Sequence, residues 1–177
     1  DVAGWNVMQH AVLRNHVPSV QLLAARGFDL SGKGGGGLPP LAVAVSEGMR
    51  WAANALIAAG APPDQRFSDN DLTALMVLAT QGEAENRDLR VAGGPSVAEI
   101  AQALVEHGAD VNARSKAGVT PLMIAAGHGN SGMIAFLVKA GADPQALDGE
   151  GRTALDIARL SGSDPAVKAL RLFTPAN

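Results

Sequence analysis

The chain of 177 residues has no cysteine and no tyrosine, and aromatic residues make up only 3% of it. Without cysteine there is no disulfide framework, no thiolate metal site and no cysteine nucleophile, while cytoplasmic and exported or periplasmic settings both stay open. With so few aromatics an interior has to be built from Ala, Leu, Val, Ile and Met. That composition suits thin helical layers in close approach better than a β-sandwich, which draws on β-branched and aromatic residues. No apolar run approaches the length that spans a bilayer, and no basic-then-apolar leader is visible, so membrane insertion is not expected. Neither sign of charge dominates: 14 Lys and Arg against 17 Asp and Glu give a net charge of -3. The two signs are interspersed, which leaves no electrostatic footprint for nucleic acid.

What is present is periodicity. Gly108-Ala109-Asp110 and Gly141-Ala142-Asp143 stand 33 positions apart, and twelve residues after each glycine a threonine opens a helix-like run, Thr120 to Ala126 and Thr153 to Ala158. Self-similarity of this length marks stacked repeats rather than a fold closed around one core. With some slippage the same grammar recurs upstream. Gly4-Trp5-Asn6-Val7-Met8 leads to Gly27-Phe28-Asp29, Gly37-Leu38-Pro39-Pro40-Leu41 leads to Gly60-Ala61, and Thr73-Ala74-Leu75 leads to Gly108.

Each signal has a physical reason. Pro40 and Pro121 fall where the first turn of a helix has N–H groups to spare, and the hydroxyl of Thr120 can cap that turn. Gly27, Gly60, Gly108 and Gly141 follow apolar runs as helix stops. Met133, Ile134 and Leu137 make one apolar face toward a neighbouring layer. The Asp-, Asn-, Ser- and Gly-rich stretches 111–117 and 144–150 read as protruding turns or fingers, with Asp110, Asp143 and Asp148 bonding their own backbone.

These motifs resemble the ankyrin repeat over nearly the whole chain, although no unit keeps the family's His after Leu: Gln9, Ala42, Met76, Met123 and Asp156 stand there. The resemblance implies an all-α solenoid of helix-turn-helix units with β-hairpin or turn fingers. The expected organisation is one domain, 1–174, with units near 1–33, 34–69, 70–114, 115–147 and 148–174 and a tail at 175–177. The third unit carries an insertion at 83–96, either a tolerated surface excursion or a contact element. Asp1 aligns with the finger residue Asp148, so a cap or further repeats upstream of it are expected. After Leu172-Phe173 the grammar stops, which suggests a terminal unit, with Lys168 and Arg171 making its outer face soluble.

No constellation marks an enzyme. Gly27 to Gly34 matches the G-x-x-x-x-G-K core of a phosphate loop, but Gly34 stands where a Ser or Thr should hold magnesium, and no strand precedes the loop. A flexible glycine-rich finger is the better reading. His10, His16, His107 and His128 offer no metal-ligand spacing; His107 suits a carbonyl-rich helix end. Ser31, Ser46 and Ser163 lack a nucleophile elbow. No cofactor is expected.

The remaining candidate is a surface. The resemblance implies that partners are held by fingers and by the ends of the first helices along a concave groove. By register these stations are Trp5 in the first unit and Lys33 in the second, with Leu38, Ser46 and Glu47 beside it. They continue as Arg66, Phe67, Asp69 and Asn70 in the third unit, Arg114, Lys116, Val119 and His128 in the fourth, and Glu150 and Arg152 in the fifth, where Leu147 and Leu160 also fall. Trp5 and Phe67 stand out because aromatics and Arg dominate binding hot spots. The alternatives for them are that Trp5 covers the end of the stack or packs on residues upstream, and that Phe67 folds over its own hairpin, which is one residue longer than the others. Trp51 falls on the outer side. The expected function is recognition of a protein partner, by a monomer or by part of a larger chain. The alternatives are a regulatory or scaffolding segment of a larger enzyme or secreted bacterial effector, and nucleotide binding at the glycine-rich finger.

Overall fold

The computed structural model describes residues 6–34, 37–81 and 94–173. Among them ten helices follow one another in pairs: α1 Val7–Leu13 and α2 Val17–Ala25, α3 Pro40–Ser46 and α4 Arg50–Ala58, α5 Ala74–Thr80 and α6 Val97–Glu106, α7 Pro121–Gly127 and α8 Ser131–Lys139, α9 Ala154–Leu160 and α10 Asp164–Arg171. No strand forms among the described residues beyond one isolated antiparallel bridge, Phe67 with Leu72. The fold is an all-α repeat solenoid. The tail at 175–177 and the insertion up to residue 93 lie outside the described residues.

The helices begin and end where the chemistry of their termini requires. Thr73, Thr120 and Thr153 are N-caps whose hydroxyls accept from the backbone N–H three residues on, and Pro40 and Pro121 occupy the first helical position. After the second helices Gly27, Gly60, Gly108 and Gly141 take φ of 76, 86, 93 and 98°. That left-handed step lets the next amide turn back, and Phe28, Ala61, Ala109 and Ala142 each donate to the carbonyl of the residue five earlier at 2.9–3.0 Å.

The position after the leucine, where the family carries histidine, is the third residue of the helix, and here it completes the cap in three ways. Gln9 accepts from the Asn6 N–H at 3.0 Å and donates its amide to the Leu38 carbonyl at 2.7 Å. The Met123 sulfur accepts from the Thr120 N–H, and the Asp156 carboxylate takes both the N–H and the hydroxyl of Thr153.

Five first helices form one layer and five second helices the other. Small residues set the spacing: Ala44, Ala52, Ala53, Ala79, Ala101, Ala125, Ala126 and Ala158 are fully buried between helices whose backbones approach closely. Leu75, Leu122, Leu56, Leu104, Ile134 and Leu137 fill the seams, each burial contributing about 1.5–3 kcal/mol. The first-helix layer is continuous, α1 to α9, and in the second layer α2 packs on α4, α4 on α6 and α8 on α10. Between α6 and α8 the packing opens into a cleft of about 420 Å³ lined by Gln81, Ser96, Val97, Asn130, Met133 and Phe136 among others. This gap falls between the third and fourth units.

Half-buried and buried amides tie the units together at the inner turns. Asn15 accepts from the Ala52 N–H at 2.9 Å, Gln81 donates to the Val45 carbonyl at 2.8 Å, and Asn130 donates to the Gln81 carbonyl at 2.7 Å.

Candidate protein-binding surface

Each finger is a short backbone turn, and successive fingers are stitched into a row. In the fourth, the Ser115 N–H donates to Val119 and that of Gly118 to Ser115; in the fifth, Asp148 donates to Arg152 and Gly151 to Asp148. The third is one residue longer and closes through reciprocal bonds of 3.0 Å between Phe67 and Leu72. Its tight corners fall on Ser68 and Asp71, which adopt φ of 63 and 56°.

Main-chain bonds then cross from finger to finger: Lys116 N–H to the Asn70 carbonyl at 3.0 Å, and Gly149 N–H to the Ala117 carbonyl at 2.8 Å. Side chains run parallel to them. Arg66 Nη1 donates to the carbonyls of Asp71 at 3.0 Å and Arg114 at 2.5 Å, Arg114 Nη2 donates to the Leu147 carbonyl at 2.6 Å, and Gln65 donates to the Ser31 carbonyl at 2.6 Å. Lower down, the Asp64 carboxylate takes the Asp110 N–H, and Asn112 takes the Asp143 N–H while donating to the Gly141 carbonyl.

Acidic residues at the finger bases are occupied locally. Asp29, Asp110 and Asp143 each accept from the N–H two residues on at 2.8 Å. Asp148 is the most enclosed, with a side chain 1% exposed, and it holds the N–H groups of Glu150 and Arg152 and the Arg152 guanidinium at 2.8 Å. Its pKa is lowered below the ordinary carboxylate value, chiefly by the backbone bond from Arg152, against the opposing effect of burial. Asp29 is lowered mainly by the Ser31 hydroxyl and Asp156 mainly by the Thr153 hydroxyl.

The expected contact residues divide accordingly. Lys33, Arg66, Asp69, Asn70, Arg114, Lys116, His128 and Glu150 are exposed, whereas Val119 and Arg152 are partly buried. Phe67, expected as an exposed contact, is 5% exposed and its backbone pairs with Leu72, so its ring offers a partner little surface. Arg66 and Arg114 both hold the next finger by its backbone. Arg152 is neutralised within its own finger by Asp148 and Glu150. His128 Nδ1 lies 3.0 Å from the Ile124 carbonyl and His107 Nδ1 2.8 Å from that of Ala103, so both cover helix ends. Trp5 lies outside the described residues.

Sequence reasoning missed Gln65, Asp64 and Asn112, since their role lies in bonds to the neighbouring unit. Leu147 and Leu160, at 51% and 73% exposed, are among the exposed apolar residues at the fifth unit, as are Leu172 and Phe173.

The glycine-rich finger does not have the geometry of a phosphate loop. Gly27 terminates α2, no helix opens at Lys33 or Gly34, and α3 starts only at Pro40. Residues 35 and 36 lie outside the described residues. Gly34 has a packing reason, since a Cβ there would overlap the Gln9 amide. Among the described residues no group of three or more His, Asp or Glu is placed to hold a metal ion. None of the described helices is long and apolar enough to cross a membrane.

Residues 104–158 match the family described as ankyrin repeats (many copies), and residues 70–116 match the single ankyrin repeat. A protein of Treponema pallidum (strain Nichols), named as ankyrin repeat-containing, is 36% identical over 116 residues; the match covers 66% of this chain and only 34% of that relative. The chain thus spans about a third of the length of the curated relative. In solved structures, a chain in the complex of Bd0816 predatory endopeptidase from Bdellovibrio bacteriovorus with immunity protein Bd3460 is similar at a TM-score of 0.80 and 27% identity, over 98% of this chain and 83% of that one.

Proposed function

The chain belongs to the ankyrin-repeat family, and from that premise we propose that it recognises a protein partner without covalent chemistry, through the face made by its fingers and the ends of its first helices. Ankyrin repeats are protein-interaction modules. The observation that carries the reading here is the stitched row of fingers. Main-chain and arginine bonds fix each finger to the next, so exposed Asn70, Lys116 and Glu150 are presented on a surface that loses little conformational entropy when a partner docks. The likeness to a chain from an endopeptidase–immunity protein complex supports a peptidase as the first class of partner to try.

Photo-crosslinking tests the surface. A crosslinker placed at Asn70, Lys116 or Glu150 is expected to trap one and the same protein in the native lysate, and one at Gln102 or Ser131 on the second helices is expected not to. Capture from the second-helix positions alone would overturn the assignment. The span of about a third of the Treponema relative favours a second reading, in which these repeats are a scaffolding or regulatory segment of a longer protein. In that case the trapped protein would be another segment of the same polypeptide.

A further inference from the structure

The charges along the finger row are not balanced in the same way from end to end. In the fifth finger the Arg152 guanidinium meets two carboxylates, Asp148 and Glu150, each at 2.8 Å. In the third and fourth fingers Arg66, Arg114 and Lys116 form no ion pair among the described residues, although all three are exposed. The two arginines are anchored to carbonyl oxygens, which position a guanidinium without cancelling its charge.

The neighbouring acids do not neutralise this cluster either. Asp64 and Asp110 are turned to backbone N–H groups at the finger bases, and Asp71 offers Arg66 its carbonyl rather than its carboxylate. Asp69, on the same finger, makes no ion pair among the described residues. The Lys116 N–H bonds the Asn70 carbonyl, so the lysine is held against the finger that bears Arg66. Since the Nη1 group of Arg66 is taken up by two carbonyls, the edge formed by Nε and Nη2 remains, and that edge grips a carboxylate through two parallel bonds.

We infer that Arg66, Arg114 and Lys116 form a carboxylate-binding station, and that the partner docks there with an acidic loop bearing Asp or Glu side chains. The inference rests on the finger face being the recognition surface and adds the chemistry of what it recognises. The station sets three exposed cations close together on a chain of net charge -3, beside the exposed Asp69 and Asp71, and charges so arranged orient an acidic partner as well as attracting it.

A fluorescein-labelled deca-glutamate peptide is the probe, read by anisotropy at about 0.02 M and about 0.2 M salt, where the screening length falls from roughly 20 Å to below 10 Å. Saturable binding at low salt is expected, weakened about tenfold or more at high salt. Lys116→Gln is the first variant, because the Lys116 side chain makes no bond that holds the fold; it is expected to weaken binding about 3- to 5-fold with an unchanged melting temperature. Adding Arg66→Gln is expected to abolish it. The double variant Lys168→Gln, Arg171→Gln removes more charge from the last helix and is expected to leave binding intact. No binding of the peptide at low salt, or equal loss in the last-helix variant, would overturn the station while leaving the crosslinking result to stand or fall separately. Tighter binding of a labelled deca-thymidylate to the same residues would also overturn it, in favour of a phosphate site.

Discussion

Replacing Asn130 by alanine tests how the units are coupled. This residue is 7% exposed and does two jobs: its Oδ1 caps α8 by accepting from the Met133 N–H at 3.0 Å, and its Nδ2 crosses to the Gln81 carbonyl of the preceding unit at 2.7 Å. Loss of an N-cap of this kind costs about 1 kcal/mol. Loss of the buried amide bond costs a further 0.5–1.5 kcal/mol or so, with a larger penalty where the carbonyl is left dry. Here the cleft of about 420 Å³ beside Asn130 admits water to that carbonyl, so the lower part of the range applies. The expected total is about 1.5 kcal/mol, or a fall in melting temperature of roughly 3–6 °C for a chain of this size. Asn130→Ser separates the two jobs, because serine keeps the cap and lacks the amide donor, and it should lose about half as much. Urea titration followed by circular dichroism gives both values. If alanine and serine cost the same, or if alanine lowers the melting temperature by less than about 2 °C, the coupling attributed to the Asn130–Gln81 bond is wrong.

Acid should act through the finger and helix-cap carboxylates. Asp148, Asp156 and Glu99 have folded pKa values lowered below their ordinary ones, so their stabilisation is fully present above the ordinary carboxylate range and is lost as pH falls through the lowered values. Thermal melts are therefore expected to be flat from about pH 7 to 5 and to decline below about pH 4, and a melting temperature that rises on acidification would contradict the assignment. Gly118→Ala should be costly. At φ of 75° an added Cβ would sit 3.0 Å from the Gly149 N–H nitrogen and 2.8 Å from Arg114 Nη2, disturbing the Gly149–Ala117 and Arg114–Leu147 bonds, two of those that tie the fourth finger to the fifth. A loss of about 1–2 kcal/mol is expected, with faster hydrogen exchange at Gly149, and an unchanged exchange rate there would count against the stitching. Leu137→Ala, at a fully buried seam, should cost about 2–5 kcal/mol, whereas Leu160→Ala, 73% exposed, should stay within about 0.5 kcal/mol. Denaturant titration distinguishes them.

The sequence disclosed the elements whose causes are local. A threonine hydroxyl finds the amide three residues on wherever the chain turns helical, and a glycine accepts the left-handed step at a helix end regardless of the neighbouring unit. Thr120, Pro121 and Gly141 could therefore be read one motif at a time. The Asx turns at Asp110 and Asp143 were legible for the same reason, each bond reaching only two residues along the chain.

Legibility failed where a side chain's job lies in the next unit. From sequence alone Phe67 stays open between an exposed anchor and a residue folded over its own hairpin, because an aromatic on a finger has little core to enter; its backbone pairs with Leu72 and it is 5% exposed. Arg66 and Arg114 looked like contact residues, and the bonds that hold them, to Arg114 and Leu147, span 48 and 33 positions. The second number is the repeat length, while the first includes the insertion. A donor at one finger meeting a carbonyl one unit later is therefore a consequence of stacking, and no motif within a unit marks it. The same bonds give a row of short turns, each too small to hold a shape alone, a shared rigidity, with the third finger tied to the fourth and the fourth to the fifth. In the third and fourth fingers that arrangement leaves cations fixed in place with their charge unspent.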